Sequence, residues 1–216
     1  STPLYSSAAS DVYKRQVVTD LDEEWTLALR IPEWSGQPVF EAGDAEIWED
    51  RGYLYVRKKW NANGHLNLSL PMKPVLMEAH PGVRMDCGKA AIQYGPLVYC
   101  VEEEDNDGDL FDCILTGNSR LEAGFEENLL GGICTIQVQG VRRNREQWKG
   151  RLYQPVSRRY FEPVKLKAVP YYAWANRGAG KMNVWMNHIP DMEHRENEGT
   201  DKDKADLSLI HISEPT

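Results

Sequence analysis

HLNLSLP, residues 65 to 71, alternates apolar and polar side chains without a break: Leu66, Leu68 and Leu70 fall on one side, Asn67 and Ser69 on the other. A period of two residues, not 3.6, marks a strand with one face in the core and one in water. WTLALRIP (25–32) repeats the pattern, with Trp25, Leu27, Leu29 and Ile31 on one side. In YLYVRKKW (53–60), Leu54, Val56 and Lys58 oppose Tyr53, Tyr55, Arg57 and Lys59. The spacers EWSGQP (33–38), EDRG (49–52) and NANG (61–64) supply the Gly or Asn that a positive φ requires. Half-buried strands at such short spacing predict an all-β chain, an antiparallel β-sandwich or jelly roll.

Further along, AAIQYGPLVYCVE (90–102) is apolar almost throughout, which predicts a strand covered on both faces. Gly95-Pro96 interrupts it, and because proline has no N–H for a ladder the pair predicts one bent or bulged strand. LFDCILTGN (110–118) reads as a helical turn or a short strand. ICTIQVQGV (133–141) and VKLKAVPYYAW (164–174) alternate again. After the loop NRGAGK (176–181), MNVWM (182–186) is predicted to return against the preceding strand as a final hairpin. Pro71, Pro74 and Pro81 punctuate the passage between two groups of strands. The boundary is placed near residue 105, giving two packed β subdomains over 17–104 and 105–192.

The ends read differently. STPLYSSAASDVYKRQ (1–16) and LSLIHISEPT (207–216) share no pattern with their neighbours and resemble translated sequencing adapter. EHRENEGTDKDKAD (193–206) is almost wholly polar and charged, so the tail from 193 to 216 is expected to be disordered.

With 33 acidic against 25 basic residues the net charge is −8, which argues against a nucleic-acid partner. The short basic run VRRNRE (141–146) does not reverse that. No apolar run approaches the roughly 20 residues needed to cross a bilayer, so no membrane partner is expected. The start carries no basic-then-apolar leader, and the compartment stays open between cytoplasm and periplasm. Cys87, Cys100, Cys113 and Cys134 form no CxxC pair, so free thiols are expected, with Cys100 a buried apolar residue. His65, His80 and His188 have no partner at ligand spacing and read as surface or loop residues.

Three stretches taken together carry a resemblance: LALRIPEW (27–34), AIQYGPLVYCVEEEDN (91–106) and VPYYAWANRGAGKMNVW (169–185). They resemble the C-terminal region of bacterial glycoside hydrolases of family 127, the β-L-arabinofuranosidase type. GYLYVRKKW followed by LNLSLPMKP fits the same region. The resemblance implies a modular parent in which an upstream (α/α)6 barrel does the chemistry and β-sandwich domains follow. It further implies retaining hydrolysis of terminal β-L-arabinofuranosyl residues by a zinc-bound cysteine thiolate, with a glutamate as acid/base. That zinc site uses an adjacent Cys-Cys pair, which this chain lacks. No catalytic residue and no metal ligand therefore carries over, and no cofactor is expected here; zinc belongs to the absent barrel. The expected partner is that barrel, and a chain made without it should keep an open sheet edge and an uncovered apolar face.

The carboxylates after Val101 admit three readings. Counting Glu103 as position 1 of a calcium loop puts Asp105, Asp107 and Gly108 in register, which motivates a calcium-stabilised adhesion-type sandwich. Position 12, which needs a bidentate glutamate, is Ile114. As a glycosidase pair, Glu102 to Asp105 would have to face each other across a sugar at roughly 5 to 5.5 Å. The third reading is a charged exit from a buried strand. Separately, Tyr171, Tyr172, Trp174 and Trp185 surround an arginine, and Trp174, Arg177 and Trp185 are the candidate residues of an aromatic platform for an arabinose-containing carbohydrate.

Overall fold

A computed structural model of the chain describes residues 23–60, 66–156 and 161–190. The expectations for 1–16, for NANG, for His65 and for the 193–216 tail lie outside the described residues.

Five strands come first: β1 (Glu24–Arg30), β2 (Val39–Glu41), β3 (Glu46–Asp50), β4 (Tyr53–Lys59) and β5 (Asn67–Ser69). They form the three-stranded antiparallel sheet β1-β4-β3 and the pair β2-β5. The period-two reading holds side chain by side chain. Trp25, Leu27, Leu29 and Ile31 pack with buried Leu54 and Val56 and with Leu66, Leu68 and Phe40 in one cluster. The β3–β4 link is the two-residue Arg51-Gly52, both at positive φ (48° and 76°), the conformation whose twist suits a tight hairpin. At one end Trp60 stacks on Trp25, with centroids 5.1 Å apart, and its indole N–H donates to the Trp25 carbonyl.

Nine strands follow: β6 (Pro74–Glu78), β7 (Lys89–Tyr94), β8 (Leu97–Glu102), β9 (Cys113–Thr116), β10 (Leu121–Glu126), β11 (Ile133–Arg143), β12 (Phe161–Pro170), β13 (Met182–Asn183) and β14 (Met186–Ile189). Six of them close on themselves. β7 pairs β8, β8 pairs β12, β12 pairs β11, β11 pairs β9, and β9 pairs β14, which returns to β7. The chain is all-β as expected, but this part is a six-stranded barrel rather than the expected open sandwich or jelly roll. Alternation shows which side chains point inward and is silent on which edges meet. The closing strand β14 lies antiparallel to β7 and parallel to β9, a pairing that no hairpin signal announces.

Every barrel strand sends side chains to the interior: Ala90 and Ile92, Tyr99 and Val101, Cys113 and Leu115, Ile136 and Val138, Leu166 and Ala168, and Met186. A barrel this narrow is filled by side chains and has no lumen. Where β9 crosses β11, Gly140 lets the backbones close up; a Cβ there would sit 2.7 Å from the Ile114 carbonyl oxygen.

Four local expectations are corrected. Gly95-Pro96 is no bulge but the two-residue turn of a hairpin, with Gly95 at φ +55° and Tyr94 opposite Leu97; a glycine in this conformation turns the chain back at once. The boundary expected near residue 105 falls inside the barrel, since β8 pairs with β12 across it. The change of sheet lies instead between β5 and β6. The expected final hairpin is absent as well: β13 pairs β8, not β12. His188 sits in β14, partly buried, rather than in a loop.

β8 shows why the apolar run needs both faces covered. Tyr99 and Val101 enter the barrel, while Cys100 faces outward under Val169, Ala173, Met182 and Val184. The segment after β12 folds over that outer face and creates the site described next.

Candidate functional site

Pro170 ends β12 and the chain enters a 3-10 turn over Tyr171–Ala173. Residues three apart eclipse in such a turn, so Tyr171 stacks on Trp174 with centroids 6.1 Å apart and planes 16° from parallel. Three aromatic rings stand in solvent here: Tyr171 is 48% exposed, Tyr172 64% and Trp174 40%. Ala175 then takes φ +60°, a costly conformation for a residue with a side chain. Its N–H donates to Glu102 Oε1 at 2.9 Å, which holds it there.

Glu102 belongs to the site's centre. Two residues on, Arg177 turns inward, its Nη1 donating to Asp105 Oδ1 at 2.7 Å and its Nη2 to Asp105 Oδ2 at 2.5 Å. The same Nη2 donates to Glu102 Oε2. Lys167, on β12, adds a second cation, bridging Asp105 at 3.0 Å and Glu126 of β10 at 3.1 Å. Asn106 is buried and stitches the strand exit down: its amide donates to the carbonyls of Glu102 and Lys167, and its Oδ1 accepts from the Lys167 N–H. Glu103 stays outside and accepts from the Lys181 N–H, anchoring the far end of the loop.

Burial on its own would raise the Asp105 carboxyl, but the hydrogen bonds from Arg177 and Lys167 outweigh it and hold the group below the usual aspartate range. Its bonds to Asp105, and then to Glu102, raise Arg177 against the smaller opposing effect of its own burial. The Cys100 thiol is pushed up to about 12, first by burial and then by the nearby Glu102 charge.

The carboxylate run therefore splits. Glu102 is buried, Asp105 is largely shielded with 9% of its side chain exposed, both are paired, and Glu103 and Glu104 are exposed, so only part of the run is the charged exit expected. One guanidinium nitrogen touches both acids. The calcium register fails on partners too. Asp105 is committed to Arg177 and Lys167, and Ile114 is buried in β9. Among the described residues no three His, Cys, Asp or Glu side chains are grouped to hold a metal.

Of the platform residues, Trp174 is exposed, Trp185 is half-buried between β13 and β14, and Arg177 is spent on its ion pairs. The ring that meets Trp174 is Tyr171, which strand alternation assigns to the opposite face. Lys167, Asn106 and Glu126 are also essential to the arrangement, and only their pairing across β8, β12 and β10 brings them in; nothing local in the sequence marks them.

Residues 74–187 match the family model of the glycoside hydrolase family 127 C-terminal domain, and residues 6–72 that of the β-L-arabinofuranosidase GH127 middle domain. The chain belongs to glycoside hydrolase family 127. The two matches meet where the sheets change between β5 and β6, and the middle-domain match begins at residue 6, inside the adapter-like stretch 1–16. A non-reducing end β-L-arabinofuranosidase of Bifidobacterium longum subsp. longum is 35% identical over 178 residues, 76% of this chain and 26% of that protein. The crystal structure of a GH127 β-L-arabinofuranosidase from Geobacillus stearothermophilus T6 superposes with a TM-score of 0.71 at 39% identity, over 77% of this chain and 27% of that one. A GH127 β-arabinofuranosidase structure gives 0.64 at 26% identity, over 77% and 28%. The chain thus spans about a quarter of the length of these relatives.

Proposed function

We propose that this chain is the accessory β-region of a bacterial family 127 glycoside hydrolase and does not itself break a glycosidic bond. On this reading the parent enzyme releases terminal β-L-arabinofuranosyl residues, and an (α/α)6 barrel outside this sequence carries the zinc-bound cysteine nucleophile. The observation that carries the reading is the Glu102–Arg177–Asp105 arrangement. Glu102 and Asp105, at the exit of β8, share one guanidinium nitrogen, so both carboxylates are already committed to a cation and not turned toward an open cleft as a retaining pair must be. Their work is to lock the segment 171–181 onto β8.

Cys100 and Cys113 do not fit a zinc-thiolate nucleophile, and among the described residues Cys87 and Cys134 belong to no group of three possible ligands. Cys113 lies in the barrel interior, and the raised Cys100 favours the neutral thiol, whereas ligand and nucleophile must both be thiolate. Cobalt(II) titration tests the point. The expected result is no thiolate-to-cobalt charge-transfer band in the purified chain. A saturable band at one equivalent would place the metal centre in this sequence and overturn the reading.

A second reading, a carbohydrate-binding module, is favoured by the exposed Tyr171–Trp174 stack. Calorimetric titration with arabinan oligosaccharides decides it: loss of binding in Trp174→Ala would support this second reading, and unchanged binding would exclude it.

A further inference from the structure

The outer face of the β1-β4-β3 sheet holds a second aromatic group, independent of the site above. The register sets three rows across the strands: Thr26, Arg57 and Glu46; then Ala28, Tyr55 and Trp48; then Arg30, Tyr53 and Asp50. All of these point away from the core beneath, whose cluster takes the alternate residues. In the middle row Trp48 and Tyr55 lie parallel, 4° between planes and 5.2 Å between centroids. That distance is too short for rings side by side, so they are offset-stacked with their normals leaning across the strands. The other side of Tyr55 is flanked by Ala28, a single methyl, where a larger residue would cover the ring. Tyr53 lies 6.3 Å from Tyr55, tilted, with the Arg30 guanidinium 5.7 Å from its ring centre. Along the other edge Arg57 reaches Glu24 at 3.3 Å and Glu46 at 4.0 Å.

We propose that this face binds a neutral saccharide, one sugar ring lying on Tyr55 over Ala28 with its hydroxyls reaching the flanking charged side chains. Three observations select that ligand. Trp48 and Tyr53 are 39% and 37% exposed and Tyr55 between them is partly exposed, so ring surface is on offer on this outer face. The charges around them balance, with Arg30, Arg57 and Lys59 against Glu24, Glu46 and Asp50, so the face attracts neither an anion nor a cation. Guanidinium donors and carboxylate acceptors alternate around an aromatic floor, the complement of a ring with apolar faces and a hydroxyl rim. The inference goes beyond the accessory role proposed above.

The experiment is calorimetric titration of the purified full chain with arabinohexaose at millimolar concentration, in wild type, Tyr55→Ala, Ala28→Trp and Trp174→Ala. These side chains point outward, and circular dichroism checks that each variant is folded. Wild type and Trp174→Ala are expected to bind alike. Tyr55→Ala and Ala28→Trp should bind about tenfold more weakly or not at all, the first by removing the ring and the second by covering it. No heat from wild type overturns the proposal, as does unchanged binding in folded Tyr55→Ala or loss of binding in Trp174→Ala. A sedimentation dimer that Tyr55→Ala dissociates would assign the face to protein contact and overturn it equally. None of these outcomes bears on the cobalt titration, so the two proposals fail separately.

Discussion

Arg177 grips Asp105 with both terminal nitrogens, at 2.7 and 2.5 Å, seventy-two residues away in the chain and almost out of solvent. That one fork joins the segment after β12 to the exit of β8. It gives a positive-φ alanine and three exposed rings a fixed place on the barrel's outer face.

Replacing Arg177 with alanine leaves Glu102 and Asp105 with only 7% and 9% of their side chains exposed and without their shared cation. Stranding buried carboxylates costs on the order of 3 to 5 kcal/mol. Urea unfolding should show a loss of that size for Arg177→Ala and a smaller one for Arg177→Lys, which keeps the charge but not the fork. Wild-type stability in Arg177→Ala would mean that the network is decorative.

Acid should act through the same pair. In the unfolded chain Asp105 titrates near the ordinary value of about 3.9, and in the folded chain its carboxyl lies lower. The folded state therefore takes up the proton less readily. The stability this gives is complete above about pH 4 and is lost as pH falls through the folded value. Thermal melts over a descending pH series should fall more steeply for wild type than for Asp105→Asn. Parallel curves would contradict the assignment.

Two glycines separate barrel closure from strand propensity. At Gly140 a methyl would meet the Ile114 carbonyl oxygen at 2.7 Å, whereas at Gly124, on β10, it would meet nothing within 4 Å. Gly140→Ala is expected to cost about 1 to 3 kcal/mol by forcing β9 and β11 apart. Gly124→Ala should stay within about 0.5 kcal/mol of wild type. Chemical denaturation of the two variants side by side checks the contrast.

Thiol reactivity reports which cysteines the fold hides. Cys87 is exposed, Cys100 and Cys113 are buried, and Cys134 is intermediate. Ellman titration of native protein should label Cys87 quickly, while Cys100 and Cys113 wait for denaturant. Fast labelling of Cys100 would show that the segment 171–181 opens freely.

The strands of this fold were legible because alternation is written locally: Trp25 to Ile31 and Leu66 to Leu70 pack on the sides that their spacing gives them. The barrel was not, since closure depends on β14 finding β9 and β7 at once, and neither encounter leaves a mark on the four residues of β14. The site was half legible. The aromatic cluster and the acids stand out in the sequence. That Arg177 pairs with the acids depends on the 3-10 turn after Pro170, which rotates Tyr171 onto Trp174 and swings the arginine inward. Tyr55 falls opposite Leu54 and Val56 by alternation, but Trp48 carries no such mark in the sequence, and their stacking depends on the register between β3 and β4.

The central claim is that the buried acids of this chain hold structure and perform no hydrolysis. It is tested most directly by incubating the purified chain at high concentration with p-nitrophenyl β-L-arabinofuranoside, with and without added zinc, and following nitrophenolate release. The account expects no release above the protein-free control in either condition. Zinc-dependent turnover that survives rigorous purification and disappears in Asp105→Asn would contradict it.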